Sequence, residues 1–463
     1  MPELPIPVGF RAETLQQVVR LLRSGESCAV VGVGSSGKSN LARHLARADV
    51  RQEYFGLEAE ATLVVYLNCK PLARRAPHDF FLQALDQLAR ALGSHEGALR
   101  LEQPAVEALW QAAEAQPEVL ALRNLDLALG RLAQAGALHL VFVLDDCDDL
   151  FAVAPPVLFA DLRALRDNHK QRLVYLTLTR REPAFLRANT VEFEELFELL
   201  SAPGHTIPVA PYVEADGTLM LRRLAQRQTP PRSLSDGEAL RLHQLAGGHA
   251  GLLRALFFAT QYDPNLAANV LSPQNWAQLA EYPDVEGECG KIWDSLEPEE
   301  QAGLAAVSGG QTPSQDAARR LERRGLLRLH LNGHYEIFSP IFERCVPRLT
   351  TVPAPKPAAS GEIEFVGVGR QVRVRGALVT LLAPEYEILR CLTTAQPESC
   401  SRLKLIEAMR LAENVERSEK IAGDPLRRLH EYIRLLKAKI GPAGWLIHPA
   451  GDGYRLAEPE RPV

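Results

Sequence analysis

The sequence predicts a multidomain protein that begins with an α/β domain built on a parallel sheet. Apolar runs of strand length alternate with helical patterns over residues 8–215, and continuous apolar strands are typical of a parallel sheet covered on both faces. A proline-rich linker at 348–361 then separates the last part of the chain. With 463 residues the chain is also too long for one hydrophobic core, so several domains are expected.

Five strands are expected in the first domain, and each is a short apolar run. They are residues 27–33, 62–68, 138–144, 172–178 and 205–210. Apolar residues that recur at helical spacing predict the helices between them. These helices are residues 12–24, a segment that follows the first strand and ends near 48, 78–93 and 118–135.

Two smaller domains are expected before the proline-rich linker. Residues 216–285 show only helical patterns, which predicts a helical lid. Residues 286–347 show helices followed by two short apolar runs around Asn332-Gly333, the strongest short-range indication of a β-hairpin. Three helices and a hairpin make a winged-helix-like α+β unit, and residues 362–458 are expected to form a second one.

The loop after the first strand carries a phosphate-binding pattern. Residues 32–39 are Gly-Val-Gly-Ser-Ser-Gly-Lys-Ser, a complete G-x-x-x-x-G-K-[ST] sequence between a strand and a helix. Backbone N–H groups and the helix N-terminus then point at one small volume, where polyanions bind. Lys38 is expected to reach the β- and γ-phosphates, and the Ser39 hydroxyl to ligate Mg²⁺. The residues expected to contact ATP are Gly32, Gly34, Ser35, Ser36, Gly37, Lys38, Ser39 and Asn40.

Acidic residues follow the third strand and predict the catalytic side of this site. Asp145 is expected to hold Mg²⁺ together with Ser39, and Asp146 is expected to orient the attacking water. Asp148 and Asp149 are expected to be only the solvated start of a helix. An apolar strand that ends in Asp-Asp is common by itself, and the phosphate loop about 105 residues upstream gives it meaning.

The fourth strand ends in Thr179-Arg180-Arg181, for which two interpretations stay open. A polar residue at the end of a strand beside the phosphate loop can sense the γ-phosphate, and Arg180 can neutralise developing charge. Alternatively the two arginines are a surface basic pair that opens a loop.

These motifs together resemble the STAND branch of the AAA+-related P-loop NTPases, over residues 8 to about 345. In order, they are Phe10-Arg11, the phosphate loop, 140–146, 177–180 and Gly247-Gly248-His249. The resemblance implies a helical lid, a winged helix after it, and a slow ATP-driven switch in place of a fast catalyst. The family's lid has a Gly-x-Pro turn where this chain has Gly248-His249-Ala250.

The last part of the chain predicts a small α+β domain. Residues 363–375 alternate as in an antiparallel sheet, and helices are expected at 381–392, 401–410 and 425–440. In the third helix, Leu426, Leu429, Ile433, Leu436 and Ile440 fall on one face and charged residues on the other. A hairpin with strands near 445–448 and 454–456 closes the domain.

This domain resembles the OmpR/PhoB-type winged-helix DNA-binding domain. The most specific mark is Gly451-Asp-Gly-Tyr-Arg-Leu456, with further marks at 382–389 and 433–440. The resemblance implies that the helix 425–440 enters the major groove of double-stranded DNA. The implied DNA contacts are Arg427, Arg428, Glu431, Arg434, Lys437, Lys439 and Arg455. Two departures are a long charged loop at 411–423 and the lack of the receiver domain that normally precedes this module.

The composition of the whole chain indicates the expected cellular location and partners. No apolar run approaches the ~18 residues of a membrane span, and seven scattered cysteines without a C-x-x-C pair argue for a reducing, cytoplasmic location and no membrane partner. The net charge is −5, but residues 361–463 hold 16 Lys and Arg against 14 Asp and Glu. That small positive excess is compatible with DNA binding and equally with a solvated face.

The sequence thus predicts an ATP-dependent, signal-regulated DNA-binding protein, with ATP and Mg²⁺ as cofactors and self-association on activation as a further option. The alternative is a STAND-type NTPase of signalling or defence whose winged helices mediate protein assembly. A replication-initiator-like ATPase shares the parts but usually lacks the wing sequence. Salt-dependent DNA binding distinguishes the first prediction from the second.

Overall fold

The computed structural model describes most of the chain in two compact units, 1–350 and 351–463. In the first unit the described residues are 4–187, 191–229, 231–262 and 276–350. In the second they are 351, 363–366, 371–374, 377–395, 400–415, 424–440, 446–450 and 453–457.

The first unit contains a five-stranded parallel sheet, as predicted. Its strands are β1 (Cys28–Val31), β2 (Thr62–Asn68), β3 (His139–Asp145), β4 (Leu173–Thr179) and β5 (Thr206–Pro208). The order across the sheet is β2-β3-β4-β1-β5, so β4 separates the strand of the phosphate loop from the strand that ends in Asp145. The carboxyl ends of β1, β3 and β4 therefore meet at one edge.

Burial on both faces explains why these strands are apolar throughout. Along β1, Ala29 and Val31 belong to one hydrophobic core while Cys28 and Val30 belong to another. Helices cover the sheet, and four of them, at 48–55, 103–115, 156–168 and 191–201, were not among those predicted. The helices are Ala12–Arg23, Lys38–Leu45, Ala48–Phe55, Pro77–Gly93, Gln103–Ala115, Pro117–Gln134, Asp148–Val153, Pro156–Asn168 and Val191–Ser201.

Beyond the parallel sheet, the described residues of the first unit form helices and one hairpin. These helices are Glu214–Gln226, Asp236–Ala246, Ala250–Tyr262, Trp276–Ala280, Pro283–Trp293, Pro298–Ser308, Gln315–Arg323 and Pro340–Thr351. The hairpin pairs β6 (Leu327–Leu329) with β7 (Tyr335–Ile337), and Gly333 has a φ of 78° in its turn. The helix Pro340–Thr351 includes the first four residues of the predicted linker at 348–361, and the rest of that segment lies outside the described residues.

The described residues of the second unit form two small antiparallel sheets and three helices around their own core. One sheet holds β8 (Ile363–Val366), β9 (Gln371–Val374) and β10 (Ala377–Thr380). The other holds β11 (Cys400–Ser401), β12 (Leu446–Ala450) and β13 (Gly453–Ala457). The helices are Ala383–Ala395, Arg402–Val415 and Pro425–Ile440.

One expectation about this unit was wrong, and one apolar residue of its third helix is more exposed than the others. The predicted loop at 411–423 is helical up to Val415, because leucine and alanine at 411–412 continue a good helix-forming sequence; its remainder, 416–423, lies outside the described residues. Leu426 lies in the first turn of its helix, where it is 38% exposed and outside the core that buries Leu429, Ile433, Leu436 and Ile440.

Candidate functional site

The phosphate loop connects β1 to the helix Lys38–Leu45. The Gly32 N–H donates to the Thr179 carbonyl of β4 at 3.1 Å, which fixes the start of the loop to the sheet. Gly37 has a φ of 91°, and a β-carbon on it would lie 2.6 Å from the Tyr212 hydroxyl. Glycine is therefore needed at position 37 both for its backbone conformation and for close packing.

Lys38 is folded back onto this loop and is buried. Its Nζ donates to the Gly32 carbonyl at 2.7 Å and the Val33 carbonyl at 3.1 Å. Burial lowers the pKa of Lys38 to about 8, and the nearby carboxylates of Asp148, Asp145 and Asp146 oppose that shift. The lysine is thus a buried cation held beside three acidic groups by the loop that it serves.

The remaining predicted ATP contacts surround Lys38 on the same turn. Ser35 is exposed with a φ of 56°, and Ser36 is buried with its hydroxyl unpartnered among the described residues. Ser39 and Asn40 lie in the first turn of the helix that begins at Lys38. The loop therefore presents one open side, near Ser35, and one packed side, near Ser36.

Asp145 ends β3 as a buried carboxylate, 3% exposed. It accepts a hydrogen bond from the Tyr66 hydroxyl of β2 and another from the Asp146 N–H at 2.9 Å. Asp146 has a φ of 53°, and burial followed by the charge of Asp145 raises its pKa. A non-glycine residue in this region is strained, and such strain is common at functional sites.

The sequence analysis gave Asp148 no role in the site. It was expected to be a solvated helix start, but it is buried and accepts the Arg180 N–H at 2.9 Å and 3.1 Å, while the Arg180 guanidinium lies 3.5 Å from it. Asp149, by contrast, is exposed. The helix after β3 starts at Asp148, as expected, but the sequence alone did not indicate that this residue contacts the end of β4.

Two threonines on β4 leave buried hydroxyls without a partner among the described residues. They are Thr177 and Thr179, and Thr179 lies directly beside Val31 at the start of the phosphate loop. A buried hydroxyl without a partner is costly, so the one at the strand end is suited to a polar ligand.

The side chains of Ser39 and Asp145 fit Mg²⁺, which takes oxygen ligands. The Ser39 hydroxyl and the Asp145 carboxylate are oxygen donors on elements that meet at one edge of the sheet, and Asp145 is a buried anion that is stabilised by a cation. The hydrogen bonds from Tyr66 and Asp146 hold that carboxylate in one orientation.

Arg11 also supports the phosphate loop, through contacts with its backbone and with Tyr212. Its guanidinium donates to the Ser36 carbonyl at 2.7 Å and also to the Ala210 carbonyl, and it lies 4.1 Å from the centre of the Tyr212 ring. Burial lowers the pKa of Arg11. The sequence singled out Arg11 within a motif but gave no indication of Tyr212.

The lid contacts the phosphate loop although it has Ala250 in place of the family's proline. His249 Nε2 lies 2.9 Å from the Gly34 carbonyl, and the Gly251 N–H donates to the Ser35 carbonyl at 3.1 Å. Burial lowers the pKa of His249 to about 4, so the ring is neutral at pH 7. Nδ1 accepts the Leu252 N–H, which leaves Nε2 to donate to Gly34.

An arginine joins the end of β4 to the next helices. Arg324 pairs with the buried Glu300 at 2.8 Å and also donates to the Arg180 carbonyl at 2.9 Å. Beside it, Arg181 forms two bonds to Glu297, at 2.5 and 2.7 Å. Arg180 and Arg181 therefore do not simply open a surface loop.

We expect Arg324→Ala to destabilise the first unit by about 3 kcal/mol, because it leaves the Glu300 carboxylate buried without its cation. Urea unfolding of the full chain, followed by circular dichroism, measures this in the first unit's transition. Arg323→Ala, which removes an exposed neighbour, is the control. Equal stability of the two variants would show that the Arg324 pair contributes nothing.

The predicted DNA contacts lie on the helix Pro425–Ile440 and on β13. Arg427, Arg434, Lys437 and Arg455 are exposed, and Arg428 is half-buried. Arg434 pairs with Glu431 of the same helix, with bonds of 2.5 and 3.0 Å. Lys439 differs from expectation, because it pairs with Glu385, a fully buried residue of the helix Ala383–Ala395. A buried carboxylate needs a charge partner, and that need directs Lys439 towards the core.

Comparisons with known proteins support the class of the first domain. Residues 8–182 match the model of the family described as AAA ATPase domain. This segment holds the phosphate loop, Asp145, Arg180 and the strands β1 to β4, so residues 8–182 are similar to an AAA ATPase domain. The chain matches no curated protein.

Several solved structures share low identity with the chain. A Walker-type ATPase of Pyrococcus abyssi is 14% identical, with a TM-score of 0.43, and the match covers 73% of this chain and 95% of that one. The ORC2 protein of Aeropyrum pernix is 12% identical, with a TM-score of 0.40 and coverage of 75% and 96%. Cdc6p of Pyrobaculum aerophilum is 14% identical, with a TM-score of 0.36 and coverage of 75% and 95%.

Within the part of the chain that the structure describes, no helix combines the length and apolar character needed to cross a membrane.

Proposed function

We propose that the protein is an ATP-dependent, signal-regulated DNA-binding regulator in which bound nucleotide controls the C-terminal unit. The observation that carries the DNA part is the helix Pro425–Ile440. One of its faces is buried in the unit's core, while Arg427, Arg434 and Lys437 are exposed along it. A helix with a buried apolar face and exposed cations is what major-groove binding requires.

The nucleotide part rests on the edge of the parallel sheet. Backbone N–H groups of the phosphate loop and Lys38 would hold the phosphates of ATP, and Ser39 and Asp145 would hold Mg²⁺. The metal supplies charge neutralisation at the transferred phosphate. Asp146 would orient the attacking water, and Thr179 and Arg180 would register the γ-phosphate. Each of these groups lies on a loop or strand end that the sheet brings to one place.

The control of one unit by the other is testable without knowing the signal. Genomic DNA fragments would be captured by the full chain with ATP, with ADP and without nucleotide, and then sequenced. We expect one enriched sequence whose recovery depends on nucleotide and falls steeply with salt. Equal recovery of all fragments, or none at low salt, would contradict the proposal.

Substitutions on the exposed helix face are expected to separate base contacts from phosphate contacts. Arg434→Ala should remove a contact worth about 1–3 kcal/mol and relax preference at one base position. Lys437→Ala should weaken binding to all sequences alike and lower the slope of log affinity against log salt by about one. Binding is measured by fluorescence anisotropy over a range of salt.

Arg390→Ala is the matched control, because Arg390 is an exposed arginine on another helix of the same unit. If it lowers affinity as much as Arg434→Ala, the helix Pro425–Ile440 is not the reading element.

A STAND-type NTPase whose small domains mediate assembly is the second candidate. Two predicted DNA contacts favour it, because Arg434 is paired with Glu431 and Lys439 with Glu385. Both pairings reduce the positive charge that is free to face phosphates. ATP-dependent self-association without DNA binding, measured by light scattering, would support this candidate over the first.

A further inference from the structure

One helix beyond the lid lies directly against the phosphate loop. The Ser295 hydroxyl, two residues past the helix Pro283–Trp293, accepts the Gly34 N–H at 2.8 Å and donates to the Lys291 carbonyl at 2.6 Å. A β-carbon on Gly34 would lie only 2.9 Å from the same Lys291 carbonyl. The end of this helix is therefore packed on the loop that is proposed to hold the phosphates.

Glu288 on this helix places a carboxylate at the open side of the loop. A β-carbon on Gly251 would lie 2.1 Å from Glu288 Oε2 and 2.7 Å from the Ser35 β-carbon, so Glu288 and Ser35 meet over Gly251. Oε2 is buried without a partner among the described residues, while Oε1 accepts Lys291 Nζ at 2.6 Å. The carboxylate is thus only half satisfied, and Lys291 is its cation.

A nucleotide bound to this loop would bring further negative charge to the same place. Repulsion between like charges grows with the charge of the ligand, and burial strengthens it because solvent screens it less. A nucleoside triphosphate carries more charge than a diphosphate. Lys291 would then lie between two anions and could leave Glu288 for the phosphate.

We propose that Glu288 is a specificity-determining residue that disfavours a triphosphate, so that ATP but not ADP displaces the helix Pro283–Trp293 from the phosphate loop. The inference rests on the proposed nucleotide binding and names the element that responds to it. It also gives the switch a direction: the arrangement in this structure is the one that ADP or an empty site retains.

Glu288→Gln keeps the shape of the side chain and removes its charge. We expect this variant to bind ATP about tenfold more tightly than the natural protein and ADP only about twofold more tightly, since the lost repulsion scales with ligand charge. Glu286→Gln is the matched control, because it removes one charge from an exposed position of the same helix. Dissociation constants come from isothermal titration, and thermal unfolding verifies that each variant is folded.

Lys291→Gln provides an independent test at an exposed side chain. Without its cation Glu288 should repel phosphate more, so ATP affinity should fall about fivefold. Lys291→Gln combined with Glu288→Gln should restore it, since no carboxylate then remains to be neutralised.

Hydrogen exchange of the full chain tests the movement. We expect ATP with Mg²⁺ to increase exchange across 283–295 relative to ADP, and Glu288→Gln to abolish that difference. If Glu288→Gln and Glu286→Gln bind both nucleotides alike, or if ATP and ADP give the same exchange in 283–295, the inference is wrong while the proposed function stands. If the natural protein binds neither nucleotide, the proposed function fails and the inference with it.

Discussion

Lys38→Ala is expected to abolish measurable ATP binding. The side chain donates to the Gly32 and Val33 carbonyls at the mouth of the phosphate loop, where its three N–H groups can instead reach phosphate oxygens. Each hydrogen bond to a charged group contributes about 1.5–3 kcal/mol, so loss of two corresponds to at least a ~100-fold weaker affinity. Isothermal titration with ATP and Mg²⁺ measures it.

Lys38 is buried, so the experiment must separate a loss of binding from a loss of stability. Removing it also frees two loop carbonyls, so the thermal unfolding of the variant has to be compared with that of the natural protein. Lys170→Ala removes a lysine from an exposed turn before β4 and should leave affinity unchanged. Undiminished ATP affinity in Lys38→Ala would overturn the assignment of the phosphate loop.

The same residue predicts a pH dependence. Burial lowers the pKa of Lys38 to about 8, so the free protein loses this positive charge as the pH rises through that value. ATP affinity should therefore be constant below about pH 7 and decline above about pH 8, because binding must then also take up a proton. Titrations from pH 6.5 to 9.5 should show the decline in the natural protein.

Asp145→Asn is expected to retain ATP binding and lose Mg²⁺-dependent hydrolysis by about 100-fold or more, since a metal at the transferred phosphate supplies several kcal/mol of charge stabilisation. The two hydrogen bonds to Asp145 reach different oxygens, so asparagine can still accept the Asp146 N–H with its Oδ1 while its Nδ2 donates to the Tyr66 hydroxyl oxygen. It cannot offer Mg²⁺ a charged oxygen. Release of inorganic phosphate and nucleotide titration measure the two effects separately.

Asp149→Asn is the control for this variant, because it changes an exposed acid four residues away. Normal turnover in Asp145→Asn would place the metal carboxylate elsewhere, and Asp148 would be the first residue to examine, given its burial beside Lys38 and Arg180.

Sequence periodicity predicted the sheet well, because a parallel sheet covered on both faces forces continuous apolar runs. β2 spans the predicted residues, and β3 and β4 each lie one residue from their predictions. The helix Gln103–Ala115 was missed because Pro104 and a mixed pattern conceal its period, although Pro is tolerated in the first turn. Local patterns show which residues are buried and which face water, but they indicate the ends of helices less directly.

The candidate site also contains some residues that are close in sequence and others that meet only in the folded chain. The phosphate loop and Asp145 were visible because each motif is contiguous. Asp148, Tyr212, Glu288 and Ser295 act on the loop from elements that fold onto it, at separations of about 100 residues or more. No spacing rule connects such residues, so their roles were not predictable from one sequence.

The carbonyl of Arg180 accepts a hydrogen bond from Arg324, and the N–H of the same residue is held by Asp148. One peptide segment thus touches both the acidic side of the nucleotide site and the buried Glu300 pair on the other side of the strand end. Coupling between two binding events is reciprocal by thermodynamic necessity. Any partner that bound the helices around Glu300 and shifted Arg324 would change the affinity for nucleotide, and the nucleotide would change the affinity for that partner by the same factor.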